Sequence, residues 1–373
     1  MTILSYNINQ KVTASTWLNW KWQLRNRLKG LNILESLGII SESLDKKFRF
    51  LLKKYHFATT PYYFSLCKEL NYNDPIFRQI IPSLEEIDFK LSGSEPDPLA
   101  EEKHSITPHL IHRYPDRVLI VTTNFCASYC RHCNRKRFWS ERPWVIDKKE
   151  LEQILFYIKK NKHIREVILS GGDPLFINQS YLEYILSRIR KIKSVEVIRI
   201  GTRIPVVLPM KITIDLCKML KRYRPIWLNT HFNHPQEITN EVEKAADLLS
   251  LHGIAMANQT VLLKGINDDL DTLARLFTAL ERVLIKPYYL FHCDSVCGTD
   301  HFRTSIEKGM ELMSGLEGKI GGLCIPKFVV DLPQGGGKAP CGPNFLEEID
   351  GNKAIFKTWE GRKFIYKGAQ GAR

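Results

Sequence analysis

Three closely spaced cysteines are the first residues of the chain whose types and spacing indicate chemistry. Cys126, Cys130 and Cys133 fall within the eight-residue segment CASYCRHC. Three thiolates on one loop can bind three irons of a cubane cluster and leave the fourth iron open for a small ligand. Zinc is the alternative, but structural zinc takes four ligands, usually as two pairs, and no second C-x2-C pair is present. The spacing therefore favours an iron–sulfur cluster with one open iron.

A glycine-containing turn, SGGDPL, begins at Ser170. Gly171 and Gly172 would let a ligand approach the backbone closely, and Asp173 could accept hydrogen bonds from an ammonium group. The same residues are also typical of an ordinary β-turn. The segment by itself leaves both interpretations open.

Lys338 follows three glycines in the segment QGGGKAP. A phosphate-binding P-loop is excluded, because that motif requires Ser or Thr after the lysine and Ala339 stands there. A lysine on such a loop can instead form a Schiff base with an aldehyde cofactor. Without further information, a lysine after glycines is most often a surface residue.

Four further charged side chains could bind a charged small molecule. Arg113 and Arg117, in HRYPDR, could hold a dianion through their planar N–H donors, or could simply be solvated. Asp294 and Asp331 end the strand-like runs YYLFHCD and FVVD, whose carboxyl ends should face the same side of a sheet. Two carboxylates beside an apolar pocket would suit the ammonium group of a substrate side chain.

The elements that would position these residues alternate between short β-rich runs and amphipathic helices. The predicted strands are RVLIVTT, EVILS, VEVIRIG, PIWLNT, AMANQTVLL and KPYYLF. Between the first two, Leu151, Ile154, Leu155 and Ile158 recur at helical spacing. This alternation predicts an α/β fold with a parallel sheet, and a partial barrel fits best. An open doubly wound sheet is less favoured, because no G-x-G-x-x-G fingerprint follows the first strand.

The first hundred residues have a helical pattern instead. Ser15 or Thr16 is predicted to cap a helix that carries Trp17, Trp20, Leu24 and Leu28 on one face. A polar stretch at about 92–105 predicts a boundary. We therefore expect an N-terminal helical region, a barrel and a C-terminal segment that carries Lys338, with the ranges 1–105, 106–334 and 335–373.

Six motifs, in order, resemble the lysine 2,3-aminomutase family of the radical S-adenosylmethionine (radical SAM) superfamily. They are CRHCNRKRFW, SGGDPL, RIGTRIPVVLP, LNTHFNHPQEIT, NQTVLLKGIND and DLPQGGGKAP, and the likeness extends from about Trp17 to Asn344. The cysteine loop alone resembles the superfamily signature, with His132 where many members have an aromatic residue. The resemblance implies a radical SAM partial (β/α)6 TIM-type barrel with an N-terminal helical extension and a short C-terminal segment.

The resemblance also implies three cofactors: a [4Fe-4S] cluster, S-adenosyl-L-methionine and pyridoxal 5′-phosphate. Position by position, it assigns the three cysteines to the cluster, Lys338 to the pyridoxal aldehyde, and Arg113 and Arg117 to the phosphate. It assigns Arg135 to the substrate carboxylate, and Asp294 and Asp331 to the substrate ammonium. The positions matched to the adenosylmethionine pocket are Ser170, Gly171, Gly172, Asp173, His231 and Gln259. His231 and Gln259, on the fourth and fifth predicted strands, could equally be core residues.

The implied activity is that of a lysine 2,3-aminomutase, an isomerase that interconverts L-lysine and β-lysine through a 5′-deoxyadenosyl radical. Glutamate aminomutases differ at the two acidic positions, so Asp294 and Asp331 favour lysine, although arginine is also cationic. The alternatives are an arginine or glutamate 2,3-aminomutase, or the enzyme that makes β-lysine for elongation factor P modification. From another class, a non-catalytic iron–sulfur or zinc protein that engages RNA stays open.

The C-terminal part departs from the clostridial members of the family. Those members carry a cysteine-rich zinc-binding extension, with a further cysteine at the position that Asp269 occupies here. The chain ends after EGRKFIYKGAQGAR without more cysteines. A zinc-linked assembly is therefore not expected, and the short tail is similar to that of the elongation factor P enzyme.

Composition bounds the remaining possibilities. With 44% hydrophobic and 25% charged residues, the 373-residue chain can bury a substantial core. Its 54 basic and 40 acidic side chains give a net charge of +14, but the basic residues are spread along the chain, which argues against nucleic-acid binding. There is no apolar run of membrane length and no secretion signal. We expect a cytoplasmic protein whose partners are lysine and an external reductant such as flavodoxin or ferredoxin, with homo-oligomerisation left open.

Overall fold

The computed structural model describes residues 12–40, 45–91 and 93–367. Its first part consists of short helices and a two-stranded antiparallel ribbon, in which Lys29 lies opposite Ala58. The helices are α1 (Ala14–Trp17), α2 (Trp20–Arg25), α3 (Leu31–Ser36), α4 (Asp45–Lys54), α5 (Pro61–Phe64), α6 (Pro75–Ile80) and α7 (Glu85–Asp88). The ribbon strands are β1 (Leu28–Lys29) and β2 (Ala58–Thr59).

The prediction of a single helix that starts at Ser15 or Thr16 is wrong, because two short helices, α1 and α2, stand there. Thr13 caps α1, and Asn19 starts a second helix by accepting hydrogen bonds from the backbone N–H groups of Lys21 (2.9 Å) and Trp22 (3.2 Å). An asparagine in this position satisfies the free N–H groups of a helix start, so it interrupts the longer pattern.

A ten-stranded sheet forms the centre of the molecule. In chain order its strands are β3 (Ser105–Thr107), β4 (Leu110–Tyr114), β5 (Arg117–Val121), β6 (Glu166–Ser170), β7 (Val197–Gly201), β8 (Ile226–Thr230), β9 (Ala255–Leu262), β10 (Ile285–His292), β11 (Lys327–Leu332) and β12 (Gly337–Pro340). Spatial order follows chain order, and the strands from β5 to β11 are all parallel. The predicted α/β fold with a parallel sheet is confirmed, with FVVD as a seventh parallel strand.

The two edges of this sheet are antiparallel additions. At one edge β4 pairs with β5 and β3 with β4, and at the other edge β12 pairs with β11. Within the described ranges, no strand pairing joins β3 to β12, so the sheet is not a closed barrel. The two edges nevertheless approach each other, because the backbone N–H of Lys338 on β12 donates to the hydroxyl of Tyr114 on β4 (3.3 Å).

Helices cover the outer side of the sheet. They are α8 (Lys148–Lys160), α9 (Gln179–Arg190), α10 (Ile204–Val207), α11 (Ile214–Lys221), α12 (Asn240–Leu251), α13 (Leu270–Arg282) and α14 (Ile306–Leu316). The apolar face predicted for α8 is buried, with Leu151 and Ile154 fully inaccessible. Asp269 caps α13 by accepting from the N–H of Thr272 (2.8 Å). Each buried face packs against apolar strand residues to form one core.

A small antiparallel sheet follows the main one. It is formed by β13 (Leu346–Asp350), β14 (Lys353–Lys357) and β15 (Lys363–Lys367). In the part of the chain that the structure describes, no helix has the length and hydrophobicity needed to cross a bilayer.

Candidate active site

A cavity of about 560 Å³ lies inside the curved sheet. Strands from β4 to β12 contribute lining residues, so the sheet wraps around it. It brings together every residue that the sequence assigned to a cofactor or substrate: Arg113, Arg117, Cys126, Cys130, Cys133, Arg135, Ser170, Gly171, Gly172, Asp173, His231, Gln259, Asp294, Asp331 and Lys338. Fifteen residues spread over more than two hundred positions thus share one space. A cavity of this size holds small molecules rather than a macromolecule.

The cysteine loop follows the carboxyl end of β5 and is fixed by the N-terminal region. The backbone N–H of Tyr129 donates to the carbonyl of Ala58 (2.9 Å), and the hydroxyls of Ser128 and Thr59 are hydrogen-bonded (3.0 Å). The β1–β2 ribbon therefore lies directly against the segment between Cys126 and Cys130. Short strands far away in sequence hold this loop, which gives the thiols a defined position.

Two hydrogen-bond donors point at the cysteine sulfurs. The Nη1 of Arg203 donates to the Sγ of Cys130 (2.8 Å), and the backbone N–H of Arg135 donates to the Sγ of Cys133 (3.3 Å). Donors of this kind stabilise metal-bound thiolates. Burial, reinforced by the charges of neighbouring acidic groups, raises the pKa of Cys126 well above its ordinary value and that of Cys133 to about 11. Binding of iron must therefore displace thiol protons.

The donor set fits an iron–sulfur cluster rather than a single metal ion. Among the described residues, no three His, Cys, Asp or Glu side chains form a group that could hold one ion as it stands. A cubane does not need such convergence, because each cysteine binds a different iron. His132, between two of the cysteines, has its Nε2 3.2 Å from the side-chain amide of Asn233 instead.

A fully buried ion-pair cluster anchors the far side of the same loop. Arg131 donates from Nε and Nη2 to the carboxylate of Glu86 (2.8 and 2.6 Å), and Lys136 donates to the same carboxylate (2.7 Å). Burial alone would raise the pKa of Glu86, but the two cations outweigh it and lower the pKa to about 2. A carboxylate on α7 thus fixes residues on both sides of Cys133.

The SGGD turn crosses the start of the cysteine loop at very short range. The N–H of Gly172 donates to the carbonyl of Thr123 (2.5 Å), and the N–H of Asp173 donates to the carbonyl of Phe125 (2.6 Å). A side-chain carbon on Gly172 would overlap the carbonyl of Phe125. The glycine is needed here because protein backbone, and not only a ligand, approaches it.

The carboxylate of Asp173 already has three donors. It accepts from the N–H of Leu175 (3.0 Å), the hydroxyl of Thr202 (2.7 Å) and the N–H of Arg203 (2.8 Å). Burial raises its pKa to about 6 even though these hydrogen bonds favour the ionised form. Asp173 therefore joins the turns after β6 and β7 while it lines the cavity.

Lys338 and the two predicted acidic residues lie together at the mouth of β10 and β11. Lys338 lies opposite Asp331 in the β11–β12 pairing, and its Nζ donates to both carboxylate oxygens (2.8 Å each). Asp294 accepts a hydrogen bond from the Nδ2 of Asn134 (3.3 Å). Burial and the nearby charge of Asp331 raise the pKa of Asp294 to about 7. This end of the cavity is built to hold cationic nitrogen.

Arg113 and Arg117 lie on the β4–β5 hairpin, at the other edge of the sheet. Arg117 donates to Asp116 (2.7 Å), whereas the Nη2 of Arg113 is buried without a hydrogen-bond partner among the described residues. Gly337, with φ +104°, would place a side-chain carbon 3.2 Å from that nitrogen. Glycine next to Lys338 therefore leaves room in front of an unsatisfied guanidinium, which suits an anion.

Arg135 is oriented by residues that flank it in the cavity. Its Nε and Nη2 donate to the carboxylate of Glu101 (3.0 and 2.6 Å), and its Nη1 donates to the hydroxyl of Ser170 (2.9 Å). Burial alone would raise the pKa of Glu101, but the guanidinium groups of Arg135 and Arg137 lower it to about 2. These bonds use three of the five N–H groups of Arg135, so two stay available for a carboxylate.

His231 and Gln259 line the cavity after β8 and on β9. Burial, together with the charge of Arg203, lowers the pKa of His231 to about 4, so its imidazole is neutral. The carbonyl of His231 accepts from the Nε of Arg203 (3.0 Å).

Sequence reasoning missed several residues that position the site, among them Arg203, Glu101 and Asn134. Arg203 touches Cys130, and its guanidinium also donates to Glu237 (2.7 Å). Glu101 holds Arg135, and Asn134 bonds Asp294. Arg203 lies inside the recognised motif RIGTRIPVVLP, so that motif was a usable signal, whereas nothing local distinguishes Glu101 in PLAEEKH.

Comparison with known proteins agrees with this geometry. A sequence model of the Radical SAM superfamily matches residues 120–277, and one described as Lysine-2,3-aminomutase matches residues 313–371. The L-lysine 2,3-aminomutase of Acetoanaerobium sticklandii is 45% identical over 350 residues, which cover 94% of this chain and 84% of the relative. The L-lysine 2,3-aminomutase of Clostridium subterminale is 42% identical over 356 residues, covering 95% and 85%. A glutamate 2,3-aminomutase of Clostridioides difficile is 38% identical over 350 residues, covering 94% and 82%.

Superfamily membership implies S-adenosylmethionine and a [4Fe-4S] cluster. The relatives extend over nearly the whole chain at well above 30% identity. The chain therefore belongs to the lysine 2,3-aminomutase family of the radical SAM superfamily, and it is an aminomutase, an isomerase.

Proposed function

We propose that this enzyme interconverts L-lysine and β-lysine, with pyridoxal phosphate bound at Lys338. The observation that carries the proposal is that Asp294 and Asp331 lie near each other at one end of a cavity whose wall also presents Arg135. An amino acid with a cationic side chain has a carboxylate at one end and an ammonium at the other. The cavity offers a guanidinium and two carboxylates for those groups.

Pyridoxal phosphate fits residues at the two edges of the sheet. Lys338 supplies a primary amine, and Arg113 supplies a buried guanidinium nitrogen that has no partner among the described residues. When bound, the pyridoxal ring supplies an aldehyde and a conjugated system, and the cluster with adenosylmethionine supplies a 5′-deoxyadenosyl radical. The protein holds the reacting groups in one orientation.

Recognition of the substrate depends on buried charges. Arg135, which Glu101 and Ser170 hold in place, would donate its two remaining N–H groups to the substrate carboxylate. The side chain of Asp331 is only 5% exposed, and Asp294 is partly buried beside Asn134. Desolvating an ammonium here would be costly without these anions, so they select a cationic side chain. Arginine shares the charge but presents it on a larger planar group.

The test is direct turnover. Reconstituted enzyme, reduced anaerobically with adenosylmethionine and pyridoxal phosphate, is incubated separately with lysine, arginine and glutamate, and the β-amino acids are separated by chromatography. We expect β-lysine as the main product. Preferential formation of β-arginine or β-glutamate would show that arginine or glutamate, and not lysine, is the substrate. Borohydride trapping of the cofactor on a lysine other than Lys338 would refute the cofactor assignment.

A further inference from the structure

A basic segment without acidic residues lies next to the cysteine loop. Between residues 12 and 34 the chain has Lys21, Arg25, Arg27 and Lys29 and no Asp or Glu. Within the described ranges, none of these four side chains is paired with a carboxylate, and Lys21, Arg25 and Lys29 are exposed. We call these four residues the basic segment. Unpaired basic groups on a surface attract an acidic partner.

Hydrogen bonds connect the basic segment to the cysteines. The Nη1 of Arg27 donates to the carbonyl oxygen of Cys126 (2.9 Å). Lys29 pairs with Ala58 in the β1–β2 ribbon, and the carbonyl of Ala58 accepts from the N–H of Tyr129 in the cysteine loop. The backbones of Lys29 and Tyr129 therefore both contact that of Ala58.

We infer that the basic segment is the docking surface for an acidic electron-donor protein that reduces the cluster. The inference rests on the proposed function, because it requires a cluster that accepts an electron. One electron leaves the donor, for example a flavin hydroquinone that becomes the semiquinone, and the cluster goes from the 2+ to the 1+ state. Electron-transfer complexes are small and short-lived, so complementary charge close to the redox centre determines how fast they form.

A nucleic acid is the other polyanion that such a surface could bind. The tryptophans of this region are already engaged. Trp17 and Trp20 pack against the core, the Nζ of Lys211 lies 4.0 Å from the centre of the Trp20 ring, and the Trp22 ring lies tilted against that of Trp17, with 6.0 Å between centroids. Contact with the cysteine loop, by contrast, has a direct use in electron transfer. The position of the segment therefore favours the redox protein.

The experiment reverses charge on the basic segment without touching the cysteine loop. The variant is Lys21→Glu/Arg25→Glu/Lys29→Glu, with Arg27 retained because it contacts Cys126. The control is Lys159→Glu/Lys160→Glu/Lys162→Glu, which makes the same change in net charge. These three exposed lysines lie at and after the end of α8, next to the amino end of β6, whereas the cysteines follow the carboxyl end of β5.

The readout is the rate of cluster reduction by flavodoxin hydroquinone, followed by loss of the visible cluster absorption under anaerobic conditions. Dithionite, a small reductant that needs no docking site, is the reference. We expect the flavodoxin rate of the variant to fall at least about tenfold at low salt, with the difference shrinking at high salt. Iron content and dithionite reduction should equal those of the wild type, and the control should keep the wild-type flavodoxin rate.

Two results would overturn the inference: an unchanged flavodoxin rate in the variant, or an equal loss in the control. If the variant bound single-stranded RNA less well than the wild type but kept the wild-type flavodoxin rate, the basic segment would be a nucleic-acid site instead. If the charge reversal prevents folding, Lys21→Gln/Arg25→Gln/Lys29→Gln gives the same comparison with a milder change. Failure of the proposed function is distinguishable, since it would appear as missing β-lysine formation, whereas cluster reduction is measured without any amino acid substrate.

Discussion

At the scale of single residues, one carboxylate serves two roles. Asp331 pairs with Lys338 through both of its oxygens, yet we also propose it as a partner of the substrate ammonium. It can serve the substrate only when the amine of Lys338 is engaged elsewhere. Attachment of the cofactor at Lys338 would therefore free the anion that the substrate needs.

Replacing Asp331 with Asn tests this role. The change keeps the size of the side chain but removes the charge, and truncating one member of a buried charged pair costs on the order of 2 kcal/mol or more. We expect kcat/KM for lysine to fall by about thirtyfold or more. Asp271→Asn, on the exposed face of α13, is the matched control and should behave as wild type. Unchanged lysine turnover in Asp331→Asn would place the ammonium elsewhere.

The raised pKa of Asp294 predicts that lysine binding depends on pH. Its pKa is raised to about 7 by burial and by the charge of Asp331, so it is neutral below that pH and anionic above it. Lysine affinity should therefore improve as the pH rises from about 6 to 8. Equilibrium dialysis with labelled lysine, in enzyme without adenosylmethionine, measures this, and Asp294→Asn should flatten the profile. Equal pH profiles in the two proteins would contradict the assignment.

At the scale of elements, the site depends on two turns that cross. The SGGD turn after β6 and the cysteine loop after β5 exchange backbone hydrogen bonds at Gly172 and Asp173. These bonds couple the two turns, so the part of the cavity that would hold adenosylmethionine is tied to the part that would hold the cluster. Sequence alone left SGGDPL open as an ordinary turn because the partner of a turn lies elsewhere in the chain.

Gly172→Ala should separate these turns. The added methyl group would overlap the carbonyl of Phe125, and the backbone would have to shift by breaking hydrogen bonds. We expect a loss of about 2 kcal/mol or more in the free energy of unfolding, measured with urea, together with a reduced iron content. Gly321→Ala, where a side-chain carbon meets open space, should change neither quantity. A stable variant with full iron loading would show that the crossing is not required.

Prediction from sequence succeeded where the signal is local and periodic. The helix predicted from Leu151, Ile154 and their neighbours buries that face in α8, and the predicted strands form the parallel sheet. It failed in the N-terminal region, where α1 and α2 replace one helix and the ribbon strands have two residues each. Strands of two residues form only because they pair with residues far away in the chain, and they are too short to show a periodic sequence pattern.

At the scale of the whole molecule, the N-terminal region supports the cysteine loop. Glu86 on α7 binds Arg131 and Lys136, which flank His132 and Cys133 and lie 45 and 50 residues further along the chain. The cysteines could be identified from the sequence because metal binding requires a recognisable spacing. Glu86 could not, because a buried ion pair leaves no local sequence pattern. The same holds for Glu101 and Arg135.

Glu86→Gln should weaken both the fold and the cluster. It leaves two buried cations with a neutral partner, which typically costs about 3 kcal/mol. Since the cations lower the pKa of Glu86 from 4.5 to about 2, its stabilising effect is present above pH 4.5 and is lost as the pH falls through about 2. Urea unfolding and iron analysis provide the measurements, with the exposed neighbour Glu85→Gln as the control. Equal stability of the two variants would argue against an anchoring role.

Because the sheet is not closed by strand pairing, binding of pyridoxal phosphate should stabilise the fold. Arg113 lies on β4, next to the edge strand β3, and Lys338 lies on the opposite edge strand, β12. The two sides meet at the hydroxyl of Tyr114 without strand pairing among the described residues. A ligand joined covalently to one edge and by its phosphate to the other would act as a clasp across this gap. Since a ligand that binds only the folded state adds about 2.7 kcal/mol at a hundredfold excess over its Kd, pyridoxal phosphate should raise the Tm of wild-type protein but hardly that of Lys338→Ala. In protein without the cofactor, the two edges of the sheet should separate before the rest of the fold unfolds. The backbone amides of these edges should therefore exchange hydrogen fastest, and binding of pyridoxal phosphate should slow that exchange.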